Sequence, residues 1–100
     1  MPSPLSSRNT YSHKINGETY LVKYTTLLPP GVDGDCSDPR EPNKIIRIDS
    51  RLRGEKHLSV LLHEFSHASN WFRCEEEVEQ FSKDSAAFIY RQEILDRLGL

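Results

Sequence analysis

The chain has 100 residues and a mass of 11.6 kDa, a size typical of one domain around one small hydrophobic core. Its net charge is −2, so the chain lacks the excess of basic residues found in nucleic-acid-binding domains. No apolar run approaches the roughly 18 residues of a membrane-spanning helix. We therefore expect neither nucleic acid nor a membrane as a partner. The first residues contain no apolar stretch like that of a secretory signal, so the expected location is cytoplasmic.

Residues 1–10 are rich in serine and proline and predict a flexible tail, followed by a single domain over residues 11–100. The domain begins with a predicted β-hairpin. Residues 11–15 and 18–24 flank Asn16-Gly17, a dipeptide that tolerates the positive φ angles of a type I′ turn. Residues 25–44 contain four prolines and no periodic pattern, which indicates a long loop. Residues 45–49 include three isoleucines and predict a further strand.

Two helices complete the predicted domain, over residues 55–70 and 75–98. The apolar face predicted for the first helix consists of Leu58, Leu61, Leu62, Phe65 and Ala68. The stripe of the second helix predicted to face inward consists of Val78, Phe81, Ser85, Phe88, Gln92 and Leu95. Because the strands precede the helices, the order favours an α+β fold, with a small antiparallel sheet packed against the helices.

The first helix contains the sequence His63-Glu64-Phe65-Ser66-His67, which is the HExxH motif. Residues four apart lie on one helix face, so His63 and His67 can direct imidazole nitrogens to one metal ion. Glu64 lies about 100° further round the helix, where its carboxylate can hydrogen-bond a water on that metal. The motif therefore predicts a metal site, with the metal identity open among zinc, manganese, iron and nickel.

A catalytic zinc ion takes three protein ligands and a water, so a third ligand is needed. No histidine follows His67, and the carboxylates directly downstream are Glu75, Glu76, Glu77 and Glu79. Glu75 precedes Val78 by three residues, which places it beside the apolar stripe and makes it the preferred ligand. The alternatives that stay open are Glu77, Glu76 and Cys74. Glu79, one turn further along, is expected to accept the ring N–H of a ligating histidine.

With an HExxH helix followed by a glutamate-bearing helix, the sequence resembles the gluzincin metallopeptidases. Its small size is similar to that of the minigluzincins and of compact phage-associated and repressor-cleaving relatives. In this family the ligand glutamate is followed by a small or apolar residue, a short polar residue and a bulky apolar residue. The matching positions here are Glu75, Val78, Glu79 and Phe81, with glutamate in place of the shorter residue at position 79. The resemblance implies a minimal zincin-like fold.

The resemblance also implies zinc-dependent hydrolysis of a peptide or protein substrate, with His63, His67 and Glu75 as zinc ligands and Glu64 as general base. The alternative is a non-catalytic or self-blocked zinc-binding regulatory domain whose own C-terminal segment fills the cleft. Structural zinc needs no general base, so the presence of Glu64 favours the enzyme. Pairing of an extended substrate with the strand at residues 45–49 is a further hypothesis, which requires that strand to lie at the sheet edge.

Overall fold

The computed structural model describes residues 10–97 and residue 99, and it has an α+β fold with one four-stranded sheet and two helices. The predictions for residues 1–9, for Leu98 and for the side chain of Leu95 lie outside this described part. Neither described helix has the length and apolar character needed to cross a membrane. The elements in chain order are β1 (Tyr11–Ile15), β2 (Glu18–Thr25), β3 (Gly34–Cys36), β4 (Ile45–Asp49), α1 (Gly54–Ser69) and α2 (Glu75–Arg97).

Strands β1 and β2 form the predicted hairpin and pair antiparallel along the whole of β1. Asn16 and Gly17 at the turn have φ angles of 53° and 76°, as the type I′ turn requires. The turn also has a second role that its sequence does not reveal. The Nδ2 atom of Asn16 donates a hydrogen bond of 2.6 Å to the carbonyl oxygen of Ser69, the last residue of α1. The tip of the hairpin is therefore tied to the end of the helix.

The sheet is mixed, so the prediction of an antiparallel sheet is wrong. Its strand order is β1-β2-β4-β3, with β2 and β4 parallel, and β3 antiparallel to β4. Parallel neighbours need a long crossover connection, and the segment between β2 and β4 provides it. Strand β3 forms inside that segment, where Gly34-Asp35-Cys36 has no alternating apolar pattern that would distinguish it from a loop. As a result, residues 45–49 are an interior strand and β3 lies at the edge.

Helix α1 packs on the sheet, and the prediction of its buried face is confirmed only in part: Ala68 is buried in the core and Leu61 packs against it. The buried residues of the helix are Val60, Glu64, Ser66 and Ala68. Phe65, which was predicted to face inward, is 42% exposed. Val60 and Glu64 lie against the edge strand, because an added Cβ at Gly34 would lie 2.9 Å from Val60 Cγ1 and 3.3 Å from Glu64 Cγ. The contact with β3 buries Val60 and Glu64, while the predicted leucines Leu58, Leu61 and Leu62 are half-buried and line an apolar cavity between α1 and the sheet.

Helix α2 packs mainly against α1, and it does so through small side chains. Its buried residues, spaced four apart, are Val78, Ser82 and Ala86. The predicted inward stripe is wrong at Phe81, Phe88 and Gln92, which are exposed. The prediction followed the large apolar residues, because they dominate the periodic pattern of the sequence. The helix contact uses smaller residues instead, because they let two helices approach closely. The face with the small residues also directs Glu75 and Glu79 toward α1.

We expect Asn16→Asp to lower the free energy of unfolding by about 1 kcal/mol. Aspartate still tolerates the positive φ angle, but its carboxylate has no proton to donate to the carbonyl oxygen of Ser69. The measurement is urea denaturation, with Asn43→Asp as a control that makes the same charge change in an exposed loop. Equal stability of the two variants would contradict the role assigned to the Asn16 hydrogen bond.

Candidate metal centre

Helix α1 directs two imidazole rings to the same point. His63 and His67 lie one helical turn apart, and their Nε2 atoms are 3.2 Å from each other. Each side chain is 17% exposed, so both rings are largely shielded, and both residues line a cavity at the protein surface. The i, i+4 spacing of the sequence is thus present in the structure as a pair of converging nitrogen atoms.

Glu75, the first residue of α2, completes the cluster. Its Oε1 lies 2.8 Å from Nε2 of His63, and its Oε2 lies 3.1 Å from Nε2 of His67. The ligand atoms of the three residues lie within 4.8 Å of one another, close enough to bind one metal ion. Two imidazole nitrogens and one carboxylate oxygen are a donor set that catalytic zinc accepts, so the residues fit the ion that the sequence predicts.

A tight turn at residues 70–74 places the start of α2 beside the end of α1. The backbone N–H of Asn70 donates to the carbonyl of Ser66 at 2.9 Å, and that of Arg73 donates to the carbonyl of Asn70 at 3.1 Å. Nη1 of Arg73 donates a further hydrogen bond of 3.1 Å to Oγ of the buried Ser66. These bonds hold Glu75 against the last turns of α1.

Glu79 contacts the other ring nitrogen of His63. Its Oε2 lies 3.0 Å from Nδ1 of His63, and its Oε1 lies 3.3 Å from Nζ of Lys83. The hydrogen bond from Lys83, aided by the charges of Lys83 and His63, lowers the pKa of Glu79 and keeps it ionised. An ionised Glu79 accepts a hydrogen bond from Nδ1–H of His63, so the proton stays on Nδ1 and the lone pair of Nε2 is directed at the cluster. Its position therefore agrees with the role expected from the sequence.

Glu64 is a buried carboxyl group beside the cluster, with 7% of the residue exposed. Burial raises its pKa to about 7; His63 opposes this shift, while Asp35 and Glu75 add to it. A carboxyl group with a pKa near 7 can take up and release a proton at neutral pH. Its environment therefore suits a general base.

Two cavities adjoin the cluster, and they share Gly34, His63 and Glu64 as lining residues. The larger cavity, of about 490 Å³, extends along β3 and is also lined by Cys36, Trp71 and Arg73. The smaller cavity, of about 300 Å³, extends in the other direction and is also lined by Val32, Asp33 and Lys56. Glu64 and the cluster can therefore be reached from both ends of β3.

The alternative ligands lie outside the cluster. Among the described residues, the cluster does not include Glu76, Glu77 or Cys74, all of which are exposed. Cys36 lines the larger cavity as a free thiol, but burial, together with the charges of Glu64 and Asp35, raises its pKa to about 12. Cys36 is not part of the cluster among the described residues.

Three residues of the site were missed by the sequence prediction: Gly34, Trp71 and Arg73. The ring of Trp71 packs edge-on against His67, with 6.1 Å between the ring centroids. The sequence around Gly34 has the character of a polar turn, and the glycine itself was the only available sign of a close backbone approach. Arg73 lies two residues before the acidic start of α2, and nothing in that spacing indicates its contact with Ser66.

A comparison with models of known protein families, with curated proteins and with solved structures finds no match. The function of the site therefore has to be inferred from its own side chains.

We expect Glu75→Gln to lower zinc affinity by at least about 100-fold, more than the loss typical of residues that contact only the ligands. Glu76→Gln removes the same charge from the same helical turn but lies outside the cluster, so its affinity should match that of the wild type. Competition titration with a chromophoric chelator measures both variants. Equal affinities would place the third ligand elsewhere.

The raised pKa of Glu64 predicts pH-dependent stability in the metal-free protein. The folded state keeps the proton to about pH 7, whereas the unfolded state releases it near the ordinary value of 4.5. The free energy of unfolding should therefore fall as the pH rises through this window, by roughly 3 kcal/mol at most. Glu64→Gln should match the chelator-treated wild type in melting temperature at pH 4.5 and exceed it at pH 8. A difference that does not change with pH would contradict the assignment.

Proposed function

We propose that the protein is a zinc-dependent metallopeptidase with a minimal zincin-like fold, in which His63, His67 and Glu75 hold the ion and Glu64 is the general base. The observation that carries this proposal is the buried carboxyl group of Glu64, placed between the cluster and two cavities. A structural zinc site normally has four protein ligands and needs no base. Three potential ligands beside accessible cavities favour a catalytic site.

Zinc, when bound in such a site, lowers the pKa of a water and polarises a carbonyl oxygen. Glu64 supplies the proton transfer. Its carboxylate accepts a proton from the attacking water and later gives that proton to the amine nitrogen as the peptide C–N bond breaks. The products are a carboxylic acid and an amine, and Glu64 returns to its ionised state. Glu79 keeps the ring proton of His63 on Nδ1, so that Nε2 remains available as a ligand atom.

Strand β3 supports an extended peptide as the substrate. It lies at the edge of the sheet, paired with β4 on one side; the larger cavity extends along it, and the smaller one adjoins its first residue, Gly34. An extended peptide can add to such an edge through main-chain hydrogen bonds, which would bring one peptide bond next to Glu64. The proposed substrate strand is therefore β3 and not β4, where the sequence hypothesis placed it.

The self-blocked alternative requires the C-terminal segment to occupy the cleft. Among the described residues, none beyond Glu79 lines either cavity next to the cluster. Helix α2 packs mainly along α1. This arrangement favours an accessible site over a latent one.

Glu64→Gln is expected to lower the rate of peptide hydrolysis by about 10²–10⁴-fold, which is the contribution of a general base. Zinc content should stay unchanged because Glu64 lies outside the ligand cluster. The measurement compares the zinc-loaded wild type and variant on a library of quenched fluorescent peptides, with metal analysis of both. Full activity of the variant would reject Glu64 as the base. A zinc-loaded wild type that cleaves no peptide would reject the peptidase and support a non-catalytic zinc domain.

Gly34→Ala is expected to lower kcat/KM while zinc content is retained. The added Cβ would lie 3.0 Å from the backbone oxygen of Arg47 as well as close to Val60 and Glu64, so β3 has to move away from α1. That movement displaces the edge proposed to bind the peptide but leaves the ligands on the helices. Peptidase kinetics and zinc analysis test this separation. Unchanged kcat/KM in a folded variant would contradict the role of β3.

A further inference from the structure

Arg73 places a fixed positive charge in the larger cavity, next to the metal cluster. Its side chain is held by two contacts. Nη1 donates a hydrogen bond of 3.1 Å to Oγ of Ser66, which is 1% exposed, and the guanidinium lies over the ring of Phe81 at 5.6 Å from the centroid. A guanidinium that is already positioned loses little conformational entropy when it binds a ligand.

The charge of Arg73 has no acidic partner in the part of the chain that the structure describes. Asp35 lines the same cavity, but Nε of Arg47 donates to it at 2.8 Å and Nη2 of Arg47 binds its second oxygen. The oxygens of Glu75 face the two histidines of the cluster. Nε and Nη2 of Arg73 therefore remain available. A half-buried guanidinium with two free donor positions is well suited to bind a carboxylate.

We propose that Arg73 binds a carboxylate of the peptide and makes the site selective for acidic substrates, an inference that rests on the peptidase function proposed above. The carboxylate can belong to an aspartate or glutamate side chain or to the C-terminus of the peptide. Both sources present the same planar pair of oxygens to the guanidinium fork.

Which of these two kinds of carboxylate can reach Arg73 depends on the direction in which the peptide runs along β3. Strand β3 runs from Gly34 to Cys36, and the cavity that contains Arg73 extends from the shared Gly34 toward Cys36. A peptide antiparallel to β3 would have its N-terminal side at Arg73, where only a side-chain carboxylate can bind. A parallel peptide would have its C-terminal side there, where a terminal carboxylate can bind as well.

Trp71 provides a direct measure of binding in this cavity. It is the single tryptophan of the chain, it lines the cavity together with Arg73, and its ring contacts His67. A ligand that enters the cavity should therefore change the tryptophan fluorescence. This readout does not depend on hydrolysis.

The experiment uses zinc-loaded Glu64→Gln protein, in which binding can be measured without turnover. The peptides are compared in pairs. The two peptides of a pair differ only by glutamate or glutamine at one position, and this position moves along the peptide from one pair to the next. In one further pair the C-terminus is either free or amidated. We expect one carboxylate to bind about tenfold more tightly than its neutral counterpart. Adding Arg73→Gln should reduce this ratio to about one. Adding Arg73→Lys, which keeps the charge but loses the fork, should give an intermediate ratio, while Arg91→Gln on the exposed part of α2 should leave it unchanged.

The ratio of affinities separates recognition from folding, because a variant that is only partly folded weakens both peptides of a pair equally. A ratio near one in the parent protein, or a ratio that survives Arg73→Gln, would overturn the inference. If the wild type cleaves both peptides of every pair equally well, including the pair with a free or amidated C-terminus, the inference fails and the peptidase stands. If acidic peptides bind through Arg73 but the wild type cleaves none of them, carboxylate binding stands and the peptidase fails. Absence of any peptide binding would reject both.

Discussion

The packing of α1 between β3 and α2 determines the geometry of the whole site. One side of the helix contacts the edge strand so closely that position 34 has no room for a side chain. The other side receives the small residues of α2. The first contact buries Glu64, and the second brings Glu75 and Glu79 to the histidines. Substitutions in either contact should therefore alter the chemistry of the site even when the ligands themselves are unchanged.

Two glutamates of the site have opposite electrostatic environments. Glu64 is buried, and the loss of water around it raises its pKa to about 7. Glu79 is partly exposed, and its hydrogen bond with Lys83 lowers its pKa. The same side-chain chemistry thus provides a group that can exchange a proton near neutral pH and a group that stays ionised. This division of roles between acid groups by environment is a general way in which proteins carry out acid–base chemistry.

Local patterns predicted the parts of this molecule that depend on local geometry. The Asn16-Gly17 turn and the spacing of His63 and His67 follow from backbone dihedrals and helical periodicity, and the structure contains both. The position of Glu75 was preferred over its neighbours because of its distance from Val78, which is also a local argument.

Features that depend on tertiary packing were not predictable in this way. The parallel pairing of β2 with β4 and the short strand β3 arise from a segment with no apolar alternation. The buried face of α2 uses Val78, Ser82 and Ala86, although Phe81 and Phe88 dominate its hydrophobicity. Small residues contribute little to the hydrophobic pattern of a sequence. Their effect is to allow another helix to approach closely, which is a property of the packed structure. The position of Arg73 in the cavity likewise depends on Ser66 and Phe81, one on each helix.

The position of Glu75 at the start of α2, directly after the turn, has a consequence for the entropic cost of assembling the site. All three residues of the cluster lie within residues 63–75, so closing the loop between them costs little entropy. The edge strand that borders the cavities is about thirty residues away in sequence, so its contact with α1 closes a longer loop at a greater entropic cost. The ligand cluster therefore depends only on the two helices and the turn between them, whereas the cleft also depends on the sheet. A metal ion held by the cluster would therefore constrain this short segment directly, without any contribution from the sheet.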